Sequence, residues 1–317
     1  MKYRYLVAAG VAAALALPGY ALAGCGSAFC TVNTDWASQG EWTEAGGKFD
    51  LHFEFIDQDQ PRNGAEKVEV GQVPQHHDEV RTINRNWIGQ FDYNFNANWG
   101  VTASLPFISR DHEHIHNHMG AKLPESWHFD EIGDARVLGR YQLALHSEAP
   151  SALGFSFGVK LPTGKFDVTN DDGDEAERTL QPGTGTTDLL AGVFYNRSLG
   201  NAGSMFVQAR FESATDSRDE YRPGDRFFFD LGYRYPLTPR VALLAQLNVA
   251  LKDHDRGDNA EPEDSGGKYL FFTPGVSFAV GRSFQLYTFV QHPIYQYVNG
   301  VQLTADWAVL AGGSWRF

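Results

Sequence analysis

The sequence holds four histidines at alternate positions within one short stretch, residues 109–119 (SRDHEHIHNHM), and a second group in residues 75–79 (QHHDE). Imidazole nitrogens combined with a few carboxylate oxygens suit zinc, copper, nickel and cobalt ions. These residue types therefore indicate a transition-metal site, and the alternative is a solvated loop rich in histidine. The residues that could contribute ligands are His76, His77, Asp78, Glu79, His112, Glu113, His114, His116 and His118.

Alternate spacing matters because successive side chains of an extended strand point to opposite faces. The apolar residues that end at Phe107 occupy odd positions, so the even-numbered histidines are expected to share the opposite, inward face. Both histidine groups then lie at one rim, where they would form a metal-capture site at the extracellular mouth. Its affinity should fall as the pH drops through the usual histidine pKa of about 6.5. Metal transport or sensing is favoured over catalysis, because no catalytic companion can be recognised.

The elements that must position these residues are strands in which apolar and polar residues alternate. In the first of them, Phe49, Leu51, Phe53 and Phe55 alternate with acids and a histidine. Twelve such segments occur, an even number as expected for a single-chain transmembrane barrel. The predicted strands are 49–55, 87–95, 99–107, 135–145, 153–161, 189–195, 207–211, 227–235, 241–251, 270–280, 284–290 and 301–317.

Short and long connections alternate between these strands. The short ones, such as 96–98 and 281–283, are rich in turn-forming residues, whereas the long ones include 58–80 and 109–131. This alternation predicts an all-β fold, a transmembrane antiparallel β-barrel of about 12 strands of the outer-membrane type, with its turns in the periplasm. A soluble β-sandwich gives no reason for it. The final Phe317 resembles the C-terminal aromatic residue that outer-membrane barrels present to the barrel assembly machinery.

The first 23 residues have the layout of a cleaved secretory signal, with Lys2 and Arg4 before a short apolar run. We therefore expect export to the bacterial outer membrane of a Gram-negative cell. The predicted domains are a signal peptide at 1–23, a periplasmic N-terminal segment at 24–46 and a transmembrane barrel at 47–317. An oxidising compartment favours a disulfide between Cys25 and Cys30. The competing interpretation is a lipoprotein signal in which Cys25 becomes lipidated.

The balance of charged residues indicates which classes of binding partner are expected. With 39 acidic and 26 basic residues, the net charge is −13, and no basic stripe exists that would favour nucleic acid. The acidic loops 162–186 and 252–268 lack the spacing of calcium hands, so we expect them to be solvated and bridged to lipopolysaccharide by loosely held divalent ions. Residues of both signs are predicted to face the lumen, where they either stabilise the barrel or line a conduit. They include Asp50, His52, Glu54, Arg136 and Arg140.

Three motifs carry a family resemblance: Gly133 to Arg136 (GDAR), Gly158 to Gly164 (GVKLPTG) and Leu180 to Asp188 (LQPGTGTTD). They resemble those of the meta-pathway phenol-degradation outer-membrane family, whose members are transporter-like barrels. The resemblance covers roughly residues 130–317. It implies an outer-membrane channel or transport protein and implies no functional residues.

Three functions compete at this point. The first is a channel or transporter for a small solute, with transition-metal ions as the leading candidate and hydrophobic or aromatic compounds as the alternative. The second is an outer-membrane enzyme, which is disfavoured because the nucleophile motif G-x-S-x-G is absent. The third is a non-conducting barrel whose lumen is plugged, with residues 25–30 as the candidate plug. No cofactor is expected apart from a Zn, Cu, Ni or Co ion.

Overall fold

The computed structural model describes residues 31–36, 39–40, 44–74, 77–118, 120–145 and 150–317. The predicted signal peptide, Cys25, Cys30 and His76 lie outside the described residues. The elements are β1 (Gly46–Asn63), β2 (Glu66–Lys67), β3 (His77–Asn94), β4 (Trp99–His118), β5 (Ala121–Ile132), β6 (Ala135–Leu145), β7 (Ser151–Leu161), β8 (Asp188–Ser198), a 3-10 turn (Gly200–Ala202), β9 (Ser204–Ala214), β10 (Arg226–Pro236), β11 (Val241–Lys252), β12 (Gly267–Val280), β13 (Phe284–Val298) and β14 (Val301–Arg316).

Twelve of these strands close into an antiparallel barrel. Each pairs with its neighbour in the order β1-β3-β4-β6 and then β7 through β14, and β14 pairs with β1 from Lys48↔Arg316 to Asn63↔Val301. The predicted fold class and strand number are confirmed. Within the described residues, no helix has the length and apolar character needed to span a bilayer.

Apolar and polar residues alternate along each barrel strand, so that apolar side chains face outwards and polar side chains face the lumen. In β1, Phe49 and Leu51 are 44% and 42% exposed, whereas Asp50 and His52 between them are 1% and 5% exposed. This inversion of the soluble-protein pattern is expected where lipid covers the outer face. The same exposed belt of large apolar side chains continues around the barrel, for example at Trp87, Leu105, Phe155, Leu189, Phe211, Leu243, Phe272, Leu286 and Trp307.

The two ends of the barrel differ. At the turn end, where Gly46 and Phe317 lie, short connections such as 95–98, 237–240 and 281–283 join the strands. At the opposite loop end, longer segments join them, including 162–187, 215–225 and 253–266. The loop-end segment 162–187 folds inwards, since Val168, Ala176 and Leu180 are buried.

The loop predicted at 109–131 is wrong. Strand β4 continues to His118, and β5 returns beside it as far as Ile132, with pairs from Phe107↔Ile132 to His118↔Ala121. The loop predicted at 58–80 is shorter for the same reason, because β1 runs to Asn63 and β3 begins at His77. Backbone pairing thus continues after the apolar alternation stops, where the strands extend beyond the lipid-facing belt.

Residues 31–36 belong to the segment predicted to be periplasmic, and they lie inside the barrel. The Asn33 side chain donates hydrogen bonds to Gln208 and Asp230, and the Asn33 backbone N–H donates to Gln246 Oε1 at 3.0 Å. Trp36 is completely buried against Tyr287, with 5.1 Å between their ring centroids. Residues 31–36 therefore cross the lumen near the turn end and pack on inward-facing side chains of β9, β10, β11 and β13.

Candidate functional site

The loop-end extension of β3 and β4 positions the histidines. A bulge at Val80 interrupts the register, so His77 and Glu79 face inwards on one side of it and Thr82 on the other. On β4, His112 and His114 also face inwards, with Glu79 opposite His114 and Thr82 opposite His112. The inward parity predicted for these two histidines is confirmed. Three histidines and a glutamate from two strands thereby meet on one face.

Glu177 completes this group from the inward-folded segment 162–187. Its Oε1 atom lies 2.7 Å from His77 Nε2 and 3.9 Å from His114 Nδ1. Glu79 Oε1 lies 3.4 Å from the same His77 nitrogen. Ligand-type atoms of His77, Glu79, His114 and Glu177 all lie within 4.8 Å of one another. We call these four residues the inner cluster.

Several groups hold the imidazoles of the inner cluster in place. His114 Nε2 is 3.0 Å from Glu125 Oε2 on β5, which orients the ring so that Nδ1 faces Glu177. The His77 and His114 rings are stacked, with 4.6 Å between centroids, and Trp127 packs on His114 at 4.9 Å. His116 belongs to a second, more exposed group with His114 and Glu125, since its Nδ1 is 3.8 Å from Glu125 Oε1.

Burial and charge act in opposite directions on these groups. Burial lowers the pKa of His112 to about 3 and also lowers the pKa of His114, so both rings are neutral. Burial lowers the pKa of His77 too, but Glu177 and Glu79 outweigh this effect and raise its pKa to about 12. Burial raises the pKa of Glu177, but the adjacent His77 dominates and lowers that pKa to about 2. A compact set of charges is thus held inside the protein.

The other predicted ligands lie away from the inner cluster. Asp78 points to the opposite face of β3, towards Lys122 Nζ at 3.4 Å. Glu113 and His118 are exposed, the first on the outer face of β4 and the second at its tip. His77 and His114 are each only 4% exposed and lie beneath the segment 162–187, so they are enclosed within the loop end. Neighbouring residues of a strand point to opposite faces. Asp78 and Glu113 therefore lie on the face away from the inner cluster.

Below the inner cluster, the predicted lumen residues do face the interior. His52 Nδ1 lies 3.0 Å from Asp50 Oδ1, and its Nε2 lies 3.8 Å from Glu54. Arg136 donates two hydrogen bonds to Glu212 across the lumen, at 3.1 and 3.2 Å. Arg140 donates to Asn94 near the turn end.

An upper and a lower cavity lie in this lumen, among the described residues. The upper cavity, of about 300 Å³, has an apolar side formed by Ile88, Pro106 and Ile108 and charged sides that include His52 and Lys160. The lower cavity, of about 160 Å³, adjoins residues 32–35 of the N-terminal segment. Ser104 and Arg136 line both cavities, so the two meet beside Arg136.

A buried polar network brings together the three motifs singled out in the sequence. Asp134 accepts hydrogen bonds from Lys160 Nζ at 2.7 Å, from the Gly164 N–H at 3.0 Å and from the Thr184 N–H at 3.0 Å. Lys160 also lies 3.2 Å from Asp188. Sequence reasoning missed this network. The sequence did contain a signal for it, because all three motifs lie at strand ends on the same end of the barrel.

Close backbone packing fixes the network. A Cβ on Gly164 would lie 2.8 Å from backbone carbons of Gly133 and Gly183, so only glycine fits there. The network thus anchors the segment 162–187, which carries Glu177, in its inward fold.

Comparison with known families decides the identity of this arrangement. The family model described as "Putative MetA-pathway of phenol degradation" matches residues 87–299. The chain belongs to this family. The resemblance drawn from the three motifs is confirmed, and the phenol-degradation family match includes the β4 histidines but not His77 and Glu79. No curated protein matches the chain in sequence.

Solved structures share the fold at low identity. An outer membrane channel from Pseudomonas putida F1 has a TM-score of 0.64 and 12% identity, over 87% of this chain and 97% of that chain. The toluene transporter of Ralstonia pickettii has a TM-score of 0.48 and 10% identity, over 90% and 92%. A Pseudomonas aeruginosa FadL homologue has a TM-score of 0.44 and 9% identity, over 86% and 90%. The first of these supports the outer-membrane barrel fold of this phenol-degradation family member.

Proposed function

We propose that this protein is a bacterial outer-membrane channel that takes up a small aromatic compound bearing a hydroxyl or carboxylate group. The observation that carries the proposal is the amphipathic character of the upper cavity. Ile88, Pro106 and Ile108 form an apolar side for a ring, while the guanidinium of Arg136 supplies donors for a polar substituent. The family description, which names phenol degradation, agrees with a solute of this class.

The route through the barrel is narrow and gated in this proposal. A solute in the upper cavity passes Arg136 into the lower cavity and then meets residues 32–35. The inward-folded segment 162–187 covers the other end, so passage requires both coverings to move. This arrangement favours a selective channel over a wide general porin, and the N-terminal segment is its inner gate.

Uptake of transition-metal ions is a second candidate, and the inner cluster is the observation in its favour. A transported ion must leave its site quickly, whereas closed sites with several protein ligands are typical of structural metals. The strand residues of the inner cluster are buried, and the segment 162–187, which carries Glu177, covers them. We therefore favour the aromatic solute as the cargo.

Uptake into proteoliposomes tests the proposal. We expect benzoate and phenol to enter liposomes containing the purified protein faster than glucose does. Ile88→Trp, which fills the upper cavity, should reduce entry of the aromatic compounds to the rate of protein-free liposomes. The matched control is Leu105→Trp, because Leu105 faces lipid and is 44% exposed. Equal entry of glucose and benzoate, or unchanged entry with Ile88→Trp, would contradict the proposal.

A further inference from the structure

We propose that His77, Glu79, His114 and Glu177 bind a transition-metal ion of the Zn²⁺ class that clamps the segment 162–187 onto the β3–β4 extension. The ion is a structural part of the barrel in this proposal and not its cargo. The proposal does not depend on which solute the channel passes.

The spacing of the donor atoms fits such an ion. Tetrahedral zinc with ligands at about 2.0–2.1 Å separates neighbouring ligand atoms by roughly 3.3 Å. The contacts among His77 Nε2, His114 Nδ1 and the Glu79 and Glu177 oxygens are 2.7, 3.4 and 3.9 Å, which bracket that value. Small side-chain adjustments suffice to bring all four donors to one ion.

The donor chemistry selects the class of ion. Two imidazoles and two carboxylates suit zinc, cobalt, nickel and copper, whereas magnesium and calcium prefer sites made only of oxygen. Two glutamates beside two histidines also place negative charge in a buried location, where a divalent cation compensates it.

The surroundings of His114 resemble those of a metal ligand. The ring nitrogen that faces away from the inner cluster, Nε2, is held by Glu125 Oε2 at 3.0 Å. Ligating histidines usually bind a carboxylate through their second nitrogen in this way, which fixes the ring and strengthens the ligand. His112 adds another imidazole nearby, with its Nε2 3.3 Å from His114 Nδ1.

A third loop also contributes an acidic group. Glu261, in the β11–β12 loop, lines the same cavity as Glu177. Among the described residues, its Oε2 atom is buried and has no hydrogen-bond partner. A buried carboxyl oxygen without a partner is expected where a cation supplies the missing interaction.

The position of Glu177 gives the ion its structural role. Glu177 is in the same inward-folded segment as Ala176 and Leu180, which pack in a hydrophobic cluster with Trp127 and Leu303. Trp127 also donates a hydrogen bond to the Asp174 carbonyl at 3.0 Å. An ion that joins Glu177 to β3 and β4 would therefore hold this segment over the loop end.

Calorimetry with Zn²⁺ on the full-length, chelator-treated protein in detergent tests the site. We expect one ion per chain, and Glu177→Gln or His77→Ala should weaken binding by roughly 100-fold or more. Glu125→Gln should weaken it by about 10- to 100-fold, as for other partners of ligating histidines. The controls are Glu113→Gln and His128→Ala, both exposed and outside the inner cluster. Equal affinity of wild type and both ligand variants would overturn the site.

Two measurements guard against misfolding and separate a clamp from a cargo site. Co²⁺ bound to the wild type should give the visible absorption of a tetrahedral site, and Glu177→Gln should not. Zn²⁺ should also slow tryptic cleavage at the exposed Lys165 in the wild type but not in Glu177→Gln, with all variants first shown to be heat-modifiable barrels. Zinc that binds without changing cleavage would overturn the clamp.

Discussion

Lys48 Nζ lies 3.0 Å from Asp92 Oδ2, and neither side chain has any exposure to solvent. The pair joins β1 to β3 near the turn end, and the same carboxylate accepts a hydrogen bond from Thr102 at 2.6 Å. Barrel stability therefore depends on a buried charge that must remain compensated.

Asp92→Ala should destabilise the barrel by about 3–5 kcal/mol, because it leaves the Lys48 charge buried without its carboxylate. The temperature at which the folded band is lost in heat-modifiability gels measures the effect. Asp306→Ala is the matched control, since its partner Lys67 is 48% exposed, and it should cost less than about 1 kcal/mol. Equal shifts for the two variants would show that burial of the first pair is not important.

Trp36→Ala should increase conductance in planar bilayers. Trp36 packs on Tyr287, Phe289 and Leu310 inside the lumen, and loss of a buried tryptophan weakens packing by about 3–5 kcal/mol. The N-terminal segment then spends more time away from the lumen. Trp87→Ala on the lipid face serves as the control. If the two variants conduct like the wild type, residues 31–36 do not limit ion flow.

Gly164→Ala should release the segment 162–187 from its inward fold, because the new Cβ meets the backbone of Gly133 and Gly183. Faster tryptic cleavage at Lys165 is the expected result. Gly89→Ala is the control, since its nearest neighbour atom would be 4.0 Å away. Unchanged cleavage in Gly164→Ala would mean that the segment is held by other contacts.

The bridge between Cys25 and Cys30 remains a prediction, because both residues lie outside the described ones. Intact-mass measurement of the mature protein should give the mass of the chain from Gly24 less two hydrogens. A diacylglyceryl mass on Cys25 would instead support the lipoprotein signal.

The sequence was sufficient to predict the twelve barrel strands, because each reports its own environment through alternating lipid-facing and lumen-facing residues. The residues from Ala121 to Ile132 gave no such signal. They pair with β4 beyond the apolar belt, where Trp127 packs on the segment 162–187 and not on lipid. Strand β5 was missed for that reason.

The candidate site was predictable only where it depended on strand parity. His112 and His114 followed from alternation, and Glu79 joined them because the bulge at Val80 shifts the parity of β3. Glu177 was not predictable, since its position depends on how a long loop folds across the barrel. The entry of Asn33 and Trp36 into the lumen was equally hidden, because a short irregular segment has no periodicity.

The pairing of β14 with β1 has a consequence for how the barrel forms. Lys48↔Arg316 is a contact between residues near opposite ends of the chain, and Phe317 exchanges two backbone hydrogen bonds with Gly47. Every other neighbouring pair of barrel strands is close in sequence, so this seam has by far the highest contact order and the largest loss of chain entropy on closure. We therefore expect closure of this seam to be the slow, final step of folding. Until it forms, the free edges of β1 and β14 can pair with strands of other chains. The unclosed barrel must therefore be kept apart from other chains.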